Sequence, residues 1–157
     1  MKYLSTLLLS LALAGQAAHA DDLMDNGDLV AGTDLGEPII LTLLPAGSGQ
    51  QAMIGQQGTG NRATLDQDGQ ALLGRIVQAG GAQEAFILQE GSDLMALINQ
   101  QGHGNSASIT QSGSSNRAQI DQLGNGNSAS IEQAGTGLSS TVTQAGNGQH
   151  IQITQYR

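Results

Sequence analysis

The sequence predicts an all-β solenoid: strand–turn–strand rungs, two eleven-residue copies to each, stacked into two parallel sheets in a cross-β-like arrangement. Three observations carry that expectation. Gln recurs every eleven residues, at Gln56, Gln67, Gln78, Gln89, Gln100, Gln111, Gln122, Gln133, Gln144 and Gln155. Gly follows two places later, at Gly58, Gly69, Gly80, Gly91, Gly102, Gly113, Gly124, Gly135 and Gly146. An aliphatic stands two places before each Gln: Ile54, Leu65, Ile76, Ile87, Ile98, Ile109, Ile120, Ile131, Val142 and Ile153. No insertion breaks this register over residues 52–157, nine copies and a partial tenth. A fixed short period marks a repeat architecture, in which each unit buries its apolar face only against its neighbours.

An eleven-residue period also suits a right-handed helical supercoil. The glycines exclude it, because each interior Gly costs a helix about 1 kcal/mol relative to Ala. Alternation favours strands instead. In ASITQSGSSNR, which begins at Ala107, the residues Ala107, Ile109 and Gln111 share one face, and Ser108 and Thr110 take the other. The six remaining residues centre on Gly and Asn, the latter at Asn61, Asn105, Asn116 and Asn127, and supply a turn that accepts positive φ. Residues twenty-two apart then lie on successive rungs, about 4.8 Å from one another. A buried amide left unpaired costs on the order of 1–3 kcal/mol. A Gln above and a Gln below pair it, so an amide ladder is expected along each stack, with the turn Asn residues stacking likewise.

Taken in order, residues 1–20 read as a secretory signal peptide. Lys2 precedes the apolar run Leu4–Ala14, and Ala18-His19-Ala20 places small residues for cleavage before Asp21. The run is shorter than the roughly 20 residues of a membrane span. Residues 21–51 form an acidic lead-in with Asp21, Asp22, Asp25, Asp28, Asp34 and Glu37 among Gly27, Gly32, Gly36 and Pro38, a composition that buries little and is expected to be flexible. Within it Ile39–Leu44 is apolar and ends at Pro45. Leu41, Leu43 and Gly47 fall in register, so 41–51 reads either as a degraded first copy or as a linker, and functionally as an export or docking segment.

The repeat domain is 52–157. Arg62 should stack on Glu84, and Asp68 on Glu90. In the middle copies Leu72, Gln83 and Leu94 replace the Asn. Leu72 over Leu94 and Leu73 over Met95 are expected to form an apolar patch at one edge, either relaxed turns or a contact surface for a partner. The chain stops in mid-phrase at Ile151–Arg157 without a visible cap. Its last strand should therefore offer unpaired N–H and C=O groups to a matching rung, which predicts a fibre-forming or fibre-templating subunit.

Composition narrows the alternatives. With no Cys, an exported chain has no disulfide staples. A net charge of −8, and no Lys after Lys2, argue against nucleic acid as a partner. His103 and His150 lack metal-ligand spacing, and Asp66, Asp93 and Asp121 lack the nine-residue recurrence of a calcium-binding β-roll. The Gly-Asn runs have no phosphate-loop lysine. No catalytic residue, metal or cofactor is expected.

The phrase Q-x-G-x-x-N-x-A-x-I-x-Q, at Gln100–Gln111 and again at Gln111–Gln122, resembles the curlin repeat of curli, the functional amyloid fibres of bacterial surfaces. Within that family the resemblance is greatest to the minor, nucleating type of subunit. AMIGQQGTGNRATLDQ at 52–67, SSNRAQIDQ at 114–122 and the terminal Arg carry it. The resemblance implies Sec export, passage through a dedicated outer-membrane pore, and templating of a major curlin at the cell surface, in the service of adhesion and biofilm formation. It further implies attachment through an accessory surface factor by the final copies, about Ala129–Arg157, with Tyr156 and Arg157 as candidate attachment residues. The bulk fibre subunit is the alternative. A monomeric secreted solenoid that binds ice or glycan is a third reading, opposed by the mixed outward places at Met53, Arg75, Phe86, Asp121 and Glu132.

Overall fold

A computed structural model describes residues 49–157. The signal peptide and the lead-in up to residue 48 lie outside the described residues, as does most of the 41–51 segment.

The described chain is strand from end to end: β1 (Gln50–Thr59), β2 (Arg62–Gln70), β3 (Leu72–Gly81), β4 (Glu84–Ser92), β5 (Met95–His103), β6 (Ser106–Ser114), β7 (Arg117–Asn125), β8 (Ser128–Thr136), β9 (Ser139–Ala145) and β10 (His150–Tyr156). Odd strands form one sheet in the order β1-β3-β5-β7-β9, and even strands form the other, β10-β8-β6-β4-β2. Successive strands thus alternate between sheets, and one rung is an odd strand followed by an even one. Every pairing is parallel and joins residues twenty-two apart, as Ile109 to Ile131, Ile98 to Ile120 and Gln89 to Gln111 show. Arg62 does pair with Glu84, and Asp68 with Glu90.

The alternation read from the sequence decides what is buried. Ile76, Ile87, Ile98, Ile109, Ile120, Ile131 and Val142 join Ala85, Ala96, Ala107, Ala118 and Ala129 in one cluster between the sheets. Small residues stand beside the aliphatics because the opposite sheet closes in there. At Gly74, for instance, an added Cβ would lie 2.7 Å from Leu65 Cδ1.

The structure departs from expectation at the turns. Six-residue turns were expected, but most strands run nine or ten residues and continue through the repeat Gly. β1 begins at Gln50. The corner is made by one residue with positive φ between strands. Gly60, Gly104, Gly126, Gly137 and Gly148 fill that place at φ 65–69°, and Ala71, Ala82, Asp93 and Ser115 fill it at 52–55°. Parallel pairing tolerates such a corner because the same kink recurs on every rung.

Candidate functional site: amide ladders and open ends

Two ladders run the length of the stack. In the odd sheet, Gln56 Nε2 donates to Gln78 Oε1 (2.6 Å), Gln78 to Gln100 (2.8 Å), Gln100 to Gln122 (2.9 Å) and Gln122 to Gln144 (2.7 Å). In the even sheet, Gln67 donates to Gln89 (2.8 Å), Gln89 to Gln111 (3.0 Å), Gln111 to Gln133 (2.9 Å) and Gln133 to Gln155 (3.0 Å). All the amides point the same way, so each ladder has a direction: donors face the C-terminal rung and acceptors the N-terminal one. From Gln78 to Gln144 the side chains are buried, where an unpaired amide would be costly.

The second N–H of most ladder amides crosses to the opposite sheet. Gln78 Nε2 reaches Arg62 O at 3.1 Å, Gln100 reaches Glu84 O at 3.0 Å, and Gln122 reaches Ser106 O at 3.1 Å. One residue thereby ties neighbouring rungs and the two sheets together. Spacing along the chain gives the vertical bond but carries no signal for this lateral one.

The Asn residues do not form a side-chain ladder, contrary to expectation. Each instead satisfies backbone at its corner. Asn105 Nδ2 donates to Gln101 O (3.2 Å) and Gly124 O (2.8 Å), and its Oδ1 accepts the Asn127 N–H (3.0 Å). Asn116 donates to Ser112 O and Gly135 O, and accepts from Leu138 N–H. Asn61 and Asn127 follow the same plan, accepting from the Gln83 and Gln149 N–H groups. The place lies at the bend, where the corner backbone is the nearer partner, and the longer Gln83 and Gln149 bond to backbone there as well.

Gln83 shows what the longer side chain loses. Its Nε2 reproduces the Asn donations, to Ala79 O (3.1 Å) and Gly102 O (3.0 Å), yet its buried Oε1 has no partner. Replacing Gln83 by Asn should give the Asn105 N–H an acceptor and remove the orphan oxygen. We expect stability to rise by about 1 kcal/mol, seen as a later denaturation midpoint with an unchanged slope.

The expected partner patch is corrected at Leu72 and Leu94. Leu72 and Leu94 are 0% exposed and Leu73 is 2% exposed, while Met95 is half-buried. Leu72 and Leu94 share a corner column with Asn116, and that corner place points inward whatever occupies it. They complete the corner's interior and offer no surface.

The repeat glycines are held by contact between rungs. A Cβ at Gly58, Gly69, Gly80, Gly91, Gly102, Gly113 or Gly124 would lie 1.7–2.0 Å from the carbonyl oxygen of the next glycine in its column. At Gly135 the obstacle is Arg157 O at 2.3 Å. Only at Gly146, just past the last odd strand, is there room, with Gln149 Nε2 nearest at 3.4 Å.

Both ends are open. β1 and β2 are the first members of their sheets, β9 and β10 the last, and each keeps one edge without a neighbour among the described residues. Ile54 is 46% exposed and Ile151 36% exposed, although their equivalents on inner rungs are buried. Tyr156 is 68% exposed, and its O–H donates to Glu132 (3.1 Å). That bond and the Glu132 charge hold the phenol above its ordinary pKa. Arg157 is also exposed, its backbone N–H fixed to Ala134 O at 3.1 Å.

A family model, the curlin associated repeat, matches residues 71–102, 93–124, 102–135 and 124–156, together more than half of the chain. No curated protein and no solved structure matches it. With the strand-per-repeat architecture and the Gln ladders beside that match, the chain belongs to the curlin repeat family, whose repeats indicate a curli fibre subunit.

Proposed function

We propose that this chain is a minor curli subunit that is exported, stays at the bacterial surface and templates polymerisation of a major curlin. The observation that carries the templating role is the pair of open ends in one uninterrupted register. Ten strands make five rungs, so a second curlin solenoid placed below the last rung sets its own first strand beneath β9. If that solenoid begins as this one does, its counterpart of Gln56 continues the ladder at Gln144, and its counterpart of Gly58 meets Gly146. Backbone edge, amide ladder and exposed aliphatics then all find partners at once. Among the described residues the ends carry no capping element of the kind that keeps repeat proteins monomeric.

The minor assignment rests on the resemblance at 52–67 and at 114–122. The bulk subunit is the other reading, and the two differ in stoichiometry. Freshly desalted protein at substoichiometric amounts should shorten the lag of a major curlin's polymerisation. A lag unchanged at every ratio would refute nucleation. Gly146→Ala sharpens the test: the substituted solenoid should keep its β spectrum yet lose templating at its C-terminal end, where a carbonyl of the added rung would meet the new Cβ. Export through a dedicated pore, retention by an accessory factor at Tyr156 and Arg157, and a role in adhesion and biofilm belong to the same proposal.

A further inference from the structure

Among the described residues, Asn is followed directly by Gly at Asn125-Gly126 and at Asn147-Gly148. Both glycines are corner residues, at φ 65° and 66°. Other corner glycines follow Thr59, His103 and Thr136, so the corner itself does not require Asn in that place. A Gly after Asn leaves its peptide nitrogen uncrowded and the backbone free to turn. That nitrogen is the nucleophile able to attack the Asn side-chain carbonyl. In the stack, one residue of the preceding rung holds both groups. His103 N–H donates to Asn125 Oδ1 at 3.0 Å, and His103 O accepts the Gly126 N–H at 2.9 Å. Asn125 holds the next pair in the same way: its N–H donates to Asn147 Oδ1 at 2.8 Å, and its O accepts the Gly148 N–H at 2.9 Å. Asn125 and Asn147 are both exposed, so this clamp protects them and burial does not.

We propose that Asn125 and Asn147 are sites of spontaneous deamidation, open in the unfolded chain and closed by stacking. The Gly126 nitrogen gives up its proton and bonds to Asn125 Cγ. The Cγ–Nδ2 bond breaks, and the amide leaves with that proton as ammonia. Water then opens the cyclic imide at one of its two carbonyls, giving aspartate or isoaspartate. Gly148 and Asn147 react alike. In the folded chain the nitrogen is turned to the carbonyl of the preceding rung, away from Cγ, and the two rungs must part before it can attack. Aspartate keeps the backbone length and still offers the His103 N–H an acceptor. Isoaspartate carries the main chain through Cβ and Cγ, which adds a backbone carbon at a corner whose partners lie a fixed twenty-two residues away. A chain so altered closes its last two rungs out of register. The modification therefore records how long a chain stays unfolded before it stacks. Asn147 lies on the last rung, beside an open edge, so its clamp opens more readily than that of Asn125.

Tandem mass spectrometry of the tryptic peptides Ile76–Arg117 and Ala118–Arg157 resolves the sites, and an isoaspartyl methyltransferase counts the rearranged product. In guanidinium at mildly alkaline pH the full chain should deamidate at Asn125 and Asn147 ahead of Asn105, Asn116 and Asn127, which Ser or Arg follows. Desalted into the same buffer it should react at least about tenfold more slowly at both sites, with Asn147 the faster. Equal rates in the two states would overturn the clamp, and equal rates at all of these Asn in denaturant would overturn the choice of sites. Ala71 and Ala82 hold the same corner elsewhere, and nothing lies within 4 Å of a Cβ added at Gly126 or Gly148. Gly126→Ala with Gly148→Ala should therefore fold and should resist deamidation in denaturant. Chain aged in denaturant should recover less β signal on desalting, in proportion to its isoaspartate. The aged double Ala variant, and fresh Asn125→Asp with Asn147→Asp, should recover it fully. Full recovery by the isoaspartate-bearing chain, or an equal loss in the Asp variant, would overturn the effect on register.

Discussion

Gly113→Ala is expected to be among the most damaging single substitutions in the chain. Gly113 holds φ at +114°, and a Cβ there would stand 2.0 Å from Gly135 O on the next rung. The obstacle is backbone, so no rotamer relieves it, and the two rungs must part where their ladder bonds are made. A strained backbone of this kind costs about 1–3 kcal/mol, and overpacking a site that cannot relax adds about 1–3 kcal/mol. The matched control is Gly146→Ala. There φ is similar, at +127°, but the nearest heavy atom is the flexible Gln149 amide at 3.4 Å. Denaturant melts of the two variants separate conformational strain from collision between rungs. Gly113→Ala should be the less stable by about 1–3 kcal/mol, and equal midpoints would show that the glycine columns are not held by the rung above.

Gln111→Glu should be comparably severe, and it makes stability depend on pH. Gln111 is 0% exposed, accepts from Gln89 at 3.0 Å and donates to Gln133 Oε1 at 2.9 Å. A carboxylate keeps the first bond and loses the second, turning an oxygen toward the Gln133 oxygen in a place closed to water. An uncompensated buried charge of this kind costs about 3–5 kcal/mol. Burial raises the pKa of the introduced acid above its ordinary value of about 4.3. Stability should therefore be best retained below that value, where the neutral acid can donate to Gln133, and should fall as pH rises through the folded-state pKa. Melts at pH 4 and pH 7 check this. Gln101→Glu, exposed on an outer place, should stay within about 0.5 kcal/mol of the parent at both.

The sequence by itself determined the fold class, the identity of the buried face and the pairing partners. Alternation at Ala107, Ile109 and Gln111 is a local property of a pleated strand, and unbroken spacing fixes which residues stack. That is why Ile109 over Ile131, and the succession of Gln residues, could be read before any coordinates. The corners could not be read so fully. Ala71, Ala82, Asp93 and Ser115 hold the same left-handed place as Gly60 and Gly104 but carry no glycine to announce it, although the Gly at 104, 126, 137 and 148 was a usable signal.

Only the tertiary structure decided where the second Gln hydrogen goes, how Asn closes a bend, and that Leu72 and Leu94 fill a corner rather than face a partner. Each depends on how the backbone turns between the two sheets and how closely they approach. A repeat length records distance along the stack. It is silent about distance across it.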